Sequence, residues 1–151
     1  MNQAEKLLRS VFRFGEGWDA IGAIDRTRGD SWAHIHPQAC YSLFGPSGTK
    51  EMLVGRDAFF DFVGRCAAAI SDRSDEIIAI SGIDEQCALV HARAWRRSRA
   101  TGEEIRYEWA MLYRVEDGRI TYGADMLDAD AQAFWGRVLD LDAFRLNQPK
   151  S

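Results

Sequence analysis

The sequence predicts an α+β domain, and three observations predict it. Helical periodicity comes first in the chain. A run of strand-like alternation follows from Glu76 onward, and no linker, repeat or low-complexity tract divides the two parts. The length of 151 residues fits one domain. It is enough to bury a core without disulfides or metals.

The elements follow in order. Ala4, Leu7, Leu8, Val11 and Phe12 recur at helical spacing, with Lys6, Arg9 and Arg13 opposite. Gly15 and Gly17 interrupt that helix. A second is expected over 18–28, ended by Gly29, with Trp18, Ile21 and Ile24 as its apolar stripe. Asp25 lies on the edge of this stripe, where an unpaired carboxylate is costly. It either lines a pocket or turns to the surface beside Arg26 or Arg28. Asp30 is a fitting N-cap for a short helix that stops at Pro37 and carries His34 and His36. Two residues apart, these histidines point to different sides of a helix and cannot share a metal. No third ligand stands nearby, so no metal site is expected.

Residues 39–44 read as a strand, 45–48 as a loop and 52–54 as a short strand. Gly55-Arg56-Asp57 opens a helix to about Ile70. Its buried side is Phe59, Val63, Cys66, Ala67 and Ile70, widened by Phe60 or Phe62. Residues 71–74 read as a polar break. Strands are then expected over 76–82, 87–99, 105–115 and 119–128, a last helix over 129–144, and a polar tail.

On strand 105–115, Tyr107, Trp109, Met111, Tyr113 and Val115 share one face, which is taken as the inner one. Aromatics with a polar tip suit a core or a ligand cavity equally well. On strand 87–99, Ala88, Val90, Ala92 and Ala94 share a face. Small residues there leave room for a bulky ligand, or accept a helix at close approach. Arg93, Arg96, Arg97 and Arg99 read as a solvated strand end paired with Glu103, Glu104 or Glu108. An anionic ligand at this rim is the alternative.

The turn at Glu116-Asp117-Gly118 decides which acid faces inward. A two-residue Asp-Gly turn pairs Trp109 with Met126 and puts Asp128 inside. A three-residue loop with left-handed Gly118 sets Trp109 opposite Asp125. Asp128 has a competing duty as the cap of the last helix. Asp125 sits mid-strand, where aspartate is disfavoured. Facing inward near Trp109, Met111 and Leu127, it would have its pKa raised by desolvation and could serve as a general acid or base.

Several classes are excluded. The net charge of −4 gives no overall field that draws nucleic acid. No apolar run is long enough to span a bilayer, and the first residues lack signal-peptide features. Cys40, Cys66 and Cys87 are scattered, which predicts reduced thiols in a cytoplasmic protein. No glycine-rich phosphate loop or Ser/His/Asp nucleophile spacing stands out.

The order of pieces resembles the nuclear transport factor 2-like superfamily in its SnoaL-like branch. These pieces are Arg28-Gly-Asp30, His36-Pro37-Gln38-Ala39, Gly55-Arg56-Asp57-Ala58, Tyr113 to Ile120 and Asp125-Met126-Leu127-Asp128. The resemblance covers roughly 15–140. Residues 1–14 are then an N-terminal helical extension and 141–151 a tail. It implies a cone-shaped α+β barrel, its strongly curved sheet wrapped around helices with an internal apolar pocket. It also implies a homodimer formed through the sheet, a small-molecule ligand and no cofactor. Asp125 falls where SnoaL-type polyketide cyclases carry their single acid/base. Limonene-epoxide hydrolases add an arginine and a second aspartate, which would fall on Ala92 and Ala94. Tyr41 matches a water-orienting tyrosine. Asp25 resembles the helix-borne aspartate of dehydratase relatives, whose partner histidine is absent from 71–74.

Two functions are consistent with these residues. One is acid/base chemistry on an apolar or polyketide-like molecule (cyclisation, isomerisation, dehydration or hydration). Asp125, Asp25 and Tyr41 would carry it, with Trp18, Ala92, Ala94, Tyr107, Trp109, Met111 and Leu127 as walls. The other is a non-catalytic ligand-binding or dimerisation module of the same fold.

Overall fold

A computed structural model describes residues 1–12, 33–44 and 50–139. Its elements are α1 (Gln3–Val11), β1 (Ile35–Phe44), β2 (Lys50–Val54), α2 (Arg56–Ala69), β3 (Ile70–Gly82), β4 (Cys87–Ser98), β5 (Glu104–Glu116), β6 (Arg119–Leu127) and α3 (Ala129–Val138). The six strands form one sheet in the order β2-β1-β6-β5-β4-β3. All neighbours are antiparallel except β1 and β6, which run parallel. The sheet is open, with β2 and β3 at its edges. This is the expected α+β architecture, a mixed sheet with helices on one face.

Alternation decides which face is inner. Ala88, Val90, Ala92 and Ala94 on β4, and Tyr107, Met111, Tyr113 and Val115 on β5, are buried. Arg93, Arg106, Glu108 and Arg114 between them are exposed. All three helices pack on the inner face, the last of them against Ala94 and Tyr107. The Phe12 ring, just past α1, lies 5.9 Å from that of Tyr113. Phe59 of α2 stacks on Tyr41 of β1, with centroids 3.7 Å apart and planes 9° apart. Asn2 fixes the start of α1. Its Oδ1 accepts from Glu5 N at 2.7 Å, while its Nδ2 donates to the carbonyls of Asp84 and Cys87 in the β3–β4 turn. On the outer face, charges pair across strands. Arg97 meets Asp72 and Glu104, and Arg93 meets Glu76 and Glu108.

Four expectations are corrected. Residues 34–37 are not helical. His34 lies in a turn and Ile35 opens β1, because the His34 carbonyl accepts from Ile120 N at 2.8 Å and commits this stretch to β6. Pro37 falls in an irregular stretch between the pairs made by Ile35 and Cys40, where no ladder hydrogen bond is needed from it. Residues 71–74 do not break the chain. They extend β3, since Asp72, Arg73 and Ser74 pair with Arg97, Arg96 and Trp95. The last helix ends at Val138, and Leu139 is extended. The helix expected over 18–28 lies outside the described residues.

The fourth correction concerns the hairpin. Asp117 and Gly118 both have positive φ, 50° and 76°, as a two-residue type I′ turn demands. Glu116 therefore opposes Arg119, and Val115 opposes Ile120. That register alone would point Asp125 outward. However, Arg114 opposes Tyr122, so Thr121 is one extra residue on β6. Beyond it Tyr113 meets Gly123, Met111 meets Asp125 and Trp109 meets Leu127. One bulged residue exchanges the two faces. Asp125 thus shares the face of Met111 and Tyr113. The three-residue loop is not the cause, and its partner is Met111 rather than Trp109.

Candidate functional site

Asp125 stands on the inner face, one pleat beyond Gly123. The glycine is needed there. A Cβ at 123 would lie 2.7 Å from Tyr41 Cδ1 and 2.8 Å from Met111 Cε. The Tyr41 ring therefore rests against the β6 backbone, held on its other side by Phe59. Asp125 is half-buried by accessible area. Even so, burial raises its pKa from 3.8 to about 7, opposed only by a hydrogen bond from the Met126 backbone. The carboxyl group is thus crowded by protein, although the residue as a whole keeps some accessible surface. Among the described residues, no cation forms an ion pair with it. Its charge is felt by the Tyr107 and Tyr113 hydroxyls and by the Cys66 thiol, so these groups face one interior. An acid with this pKa can take and return a proton near neutrality.

Asp128 is elsewhere engaged. Its Oδ1 accepts from Ala131 N at 2.8 Å and caps α3.

A second polar group faces the same interior. Arg96, expected at a solvated strand end, is 2% exposed. It shares the pleat face of Ala92 and Ala94 and pairs with Asp75, whose side chain is 0% exposed. Asp75 Oδ1 accepts from Arg96 Nη2 and from Trp109 Nε1, each at 2.9 Å. Arg96 Nη1 donates to the Ser74 and Trp95 carbonyls. The guanidinium lies 5.8 Å from the centre of the Tyr107 ring. The Tyr107 hydroxyl accepts from Trp135 Nε1 of α3 at 3.1 Å. Burial pushes the Tyr107 phenol up to about 12, while Arg96 and the Trp135 hydrogen bond pull it down. Burial also raises Tyr41 and Tyr113 well above the usual range, and among the described residues no cation offsets it.

The other candidates are placed as follows. Tyr41 and Met111 are buried. Trp109 is partly buried, with its indole nitrogen committed to Asp75. Leu127 pairs with Trp109. Ala92 and Ala94 lie opposite Trp109 and Tyr107, and Ala94 packs in a cluster with Ala131 of α3. At Ala94, then, the small residue accepts a helix. Asp25 and Trp18 lie outside the described residues. Asp75, Arg96 and Trp135 were missed by the sequence reading. The parity of Arg96 with Ala92 and Ala94 was the available signal. Among the described residues, no cluster of metal-ligating side chains occurs, and no helix is long and apolar enough to cross a membrane.

The SnoaL-like domain model matches residues 19–123, more than half of the chain, and the chain belongs to that family. Solved structures agree on the fold. Bal32a, from a soil-derived mobile gene cassette, is 16% identical with a TM-score of 0.72, covering 92% of this chain and 100% of its own. A candidate SnoaL-like polyketide cyclase from Jannaschia sp. CCS1 is 16% identical with a TM-score of 0.67, covering 98% and 94%. A protein of ketosteroid isomerase-like fold from Catenulispora acidiphila, solved with trimethylamine, is 14% identical with a TM-score of 0.61, covering 94% and 98%. No curated protein matches the chain. The family match stops two residues before Asp125, so the case for that acid rests on the geometry of β6.

Proposed function

We propose that the chain binds a small apolar or polyketide-like molecule in an internal pocket against the inner face of the sheet. There it performs acid/base chemistry without a cofactor: cyclisation, isomerisation, dehydration or hydration. Asp125 carries the proton. The observation that supports this is an inward carboxyl group held near pKa 7 with no ion-pair partner among the described residues. An aspartate kept for structure alone would be capped, paired or solvated, as Asp128 and Asp75 are. In this reading Asp25 is the second acid, Tyr41 a hydrogen-bonding group, and Trp18 part of the wall.

The test uses 1,3-diketones in D2O, with α-proton exchange followed by NMR. Wild-type protein accelerates exchange, and Asp125→Asn loses about a hundredfold or more of the acceleration. Equal exchange by both proteins would overturn the reading.

One observation favours a non-catalytic module. Met111, Tyr113 and Tyr41 are buried in the main apolar cluster and take up much of the inner face. The same diketone experiment separates the two, because a module binds without exchange.

The outer face suits a second copy of the chain. Met52, Val54 and Met126 are 51%, 63% and 42% exposed there. Cys40, Tyr122 and Ala124, each partly exposed, lie between them on β1 and β6, while Ser42 in the same row is already buried. A homodimer through this strip would cover it. Sedimentation should give a dimer for wild type and a monomer for Met126→Arg. A wild-type monomer would refute the assignment.

A further inference from the structure

The last helix is held differently from the other two. Only Ala131 and Phe134 are buried along α3. Ala131 packs with Ala94 and Tyr107, while Trp135, Val138 and Leu139 pack with Cys66 and Phe62. These two small groups share only the partly buried Phe62 and Trp109 with the main apolar cluster. Among the described residues, two polar links tie α3 to other elements. Trp135 Nε1 donates to the Tyr107 hydroxyl at 3.1 Å. Arg137 grips Glu103 with two nitrogens, Nε to Oε1 at 2.9 Å and Nη2 to Oε2 at 3.0 Å. These two side chains are 58% and 36% exposed, so water and salt weaken the pair. The bonds at the other end of α3 are local. Ala131 N donates to Asp128 Oδ1, and Gln132 Nε2 donates to the Leu127 carbonyl, so they can travel with the helix.

We propose that α3 is a gate over the inner face, hinged at Asp128 and latched by Arg137 to Glu103 between β4 and β5, and that it swings out while the sheet stays folded. Opening breaks one exposed ion pair, one hydrogen bond and two small apolar groups. Every ladder bond of the sheet is kept, so the gate opens more readily than the domain unfolds. Asp128 is extended, with φ −73° and ψ 171°, and stands alone between β6 and α3. A single residue at the end of an element is where such a rotation is absorbed. The swing uncovers Ala94 and Tyr107. It gives a molecule from solvent a way to the inner face that the closed helix blocks. The gate does not depend on which chemistry, if any, Asp125 performs.

Cys66 reports on the gate. It packs against Leu139 and Trp135, and burial pushes its thiol up to about 12, so the closed protein barely reacts there. The full chain is treated with N-ethylmaleimide, and peptide mass spectrometry follows Cys66 alone. Hydrogen exchange at the buried Val90 and Met111 measures opening of the sheet under the same conditions. Below the unfolding transition, urea should leave the Cys66 rate flat while it speeds exchange at Val90 and Met111. Glu103→Gln should raise the Cys66 rate about threefold to fivefold. Exchanging the two charges, Glu103→Arg with Arg137→Glu, should return it to within about twofold of wild type. Sodium chloride at about 0.5 M should speed the reaction in wild type and leave Glu103→Gln unchanged. A Cys66 rate that climbs with urea in step with the two amides means that α3 leaves only when the domain unfolds, and it overturns the gate. A rate that ignores Glu103→Gln overturns the latch and the proposal with it.

Discussion

Replacing Asp125 by asparagine should stabilise the protein, and by an amount that depends on pH. The folded state holds this carboxyl near pKa 7 against 3.8 ordinarily, mainly because burial disfavours the charge. A raised folded-state pKa contributes stability that is fully present below the unfolded value. It is lost as pH rises through the folded value. Relative to asparagine, which is never charged, wild type should therefore match the variant below about pH 4. It should lag progressively between about pH 4 and 7, and remain behind by up to about 4 kcal/mol above pH 8. For a chain of this size that corresponds to about 10 °C in Tm. Asparagine can still accept the Met126 hydrogen bond, so little native geometry is lost. Thermal melts of both proteins from pH 4 to 9 measure the difference. A difference that stays flat with pH, or an asparagine variant less stable at pH 8, would refute the account of Asp125 as a desolvated acid.

Other outcomes follow from the surrounding packing. Asp75→Ala should cost about 3–5 kcal/mol by urea titration, because it removes the carboxylate from a buried ion pair. A loss below about 1 kcal/mol would mean that the pair is solvated. Gly123→Ala should cost about 1–3 kcal/mol. Met111 Cε can swing away, but the Tyr41 ring is pinned by Phe59. A neutral effect in chemical denaturation would show that the ring has room to move.

Much of the fold was legible in the chain. The strict alternation on β4 and β5 set the inner face, because side chains on a strand point alternately to its two sides. The stripe of α2 and the cap at Asp128 were equally local signals. What was not legible depended on pairing between distant residues. Residues 71–74 look like a loop in isolation. They become strand only because Arg96, Arg97 and Trp95 lie alongside them. For the same reason Arg96 was grouped with its charged neighbours. Its partner Asp75 is on another strand, and the buried pair exists only when both strands are in place. His34 and His36 were misplaced because the pull of β6 on β1 outweighed a local helix signal. The inward aim of Asp125 was anticipated, but through the wrong device. Asp-Gly matched the turn, while nothing around Thr121 announces the bulge.

That bulge gives β6 a residue it can spare. Thr121 is the one the ladder skips, so deleting it would leave Arg114 opposite Tyr122 and Met111 opposite Asp125, now in a regular strand. Residues 122–127 would turn over only in the opposite event, with Thr121 kept and drawn into the ladder. Asp125 would then oppose Ala110 and point outward. A deletion of Thr121 should therefore keep whatever activity depends on Asp125. A loss as complete as that of Asp125→Asn, in a deletion variant that still folds, would refute the register.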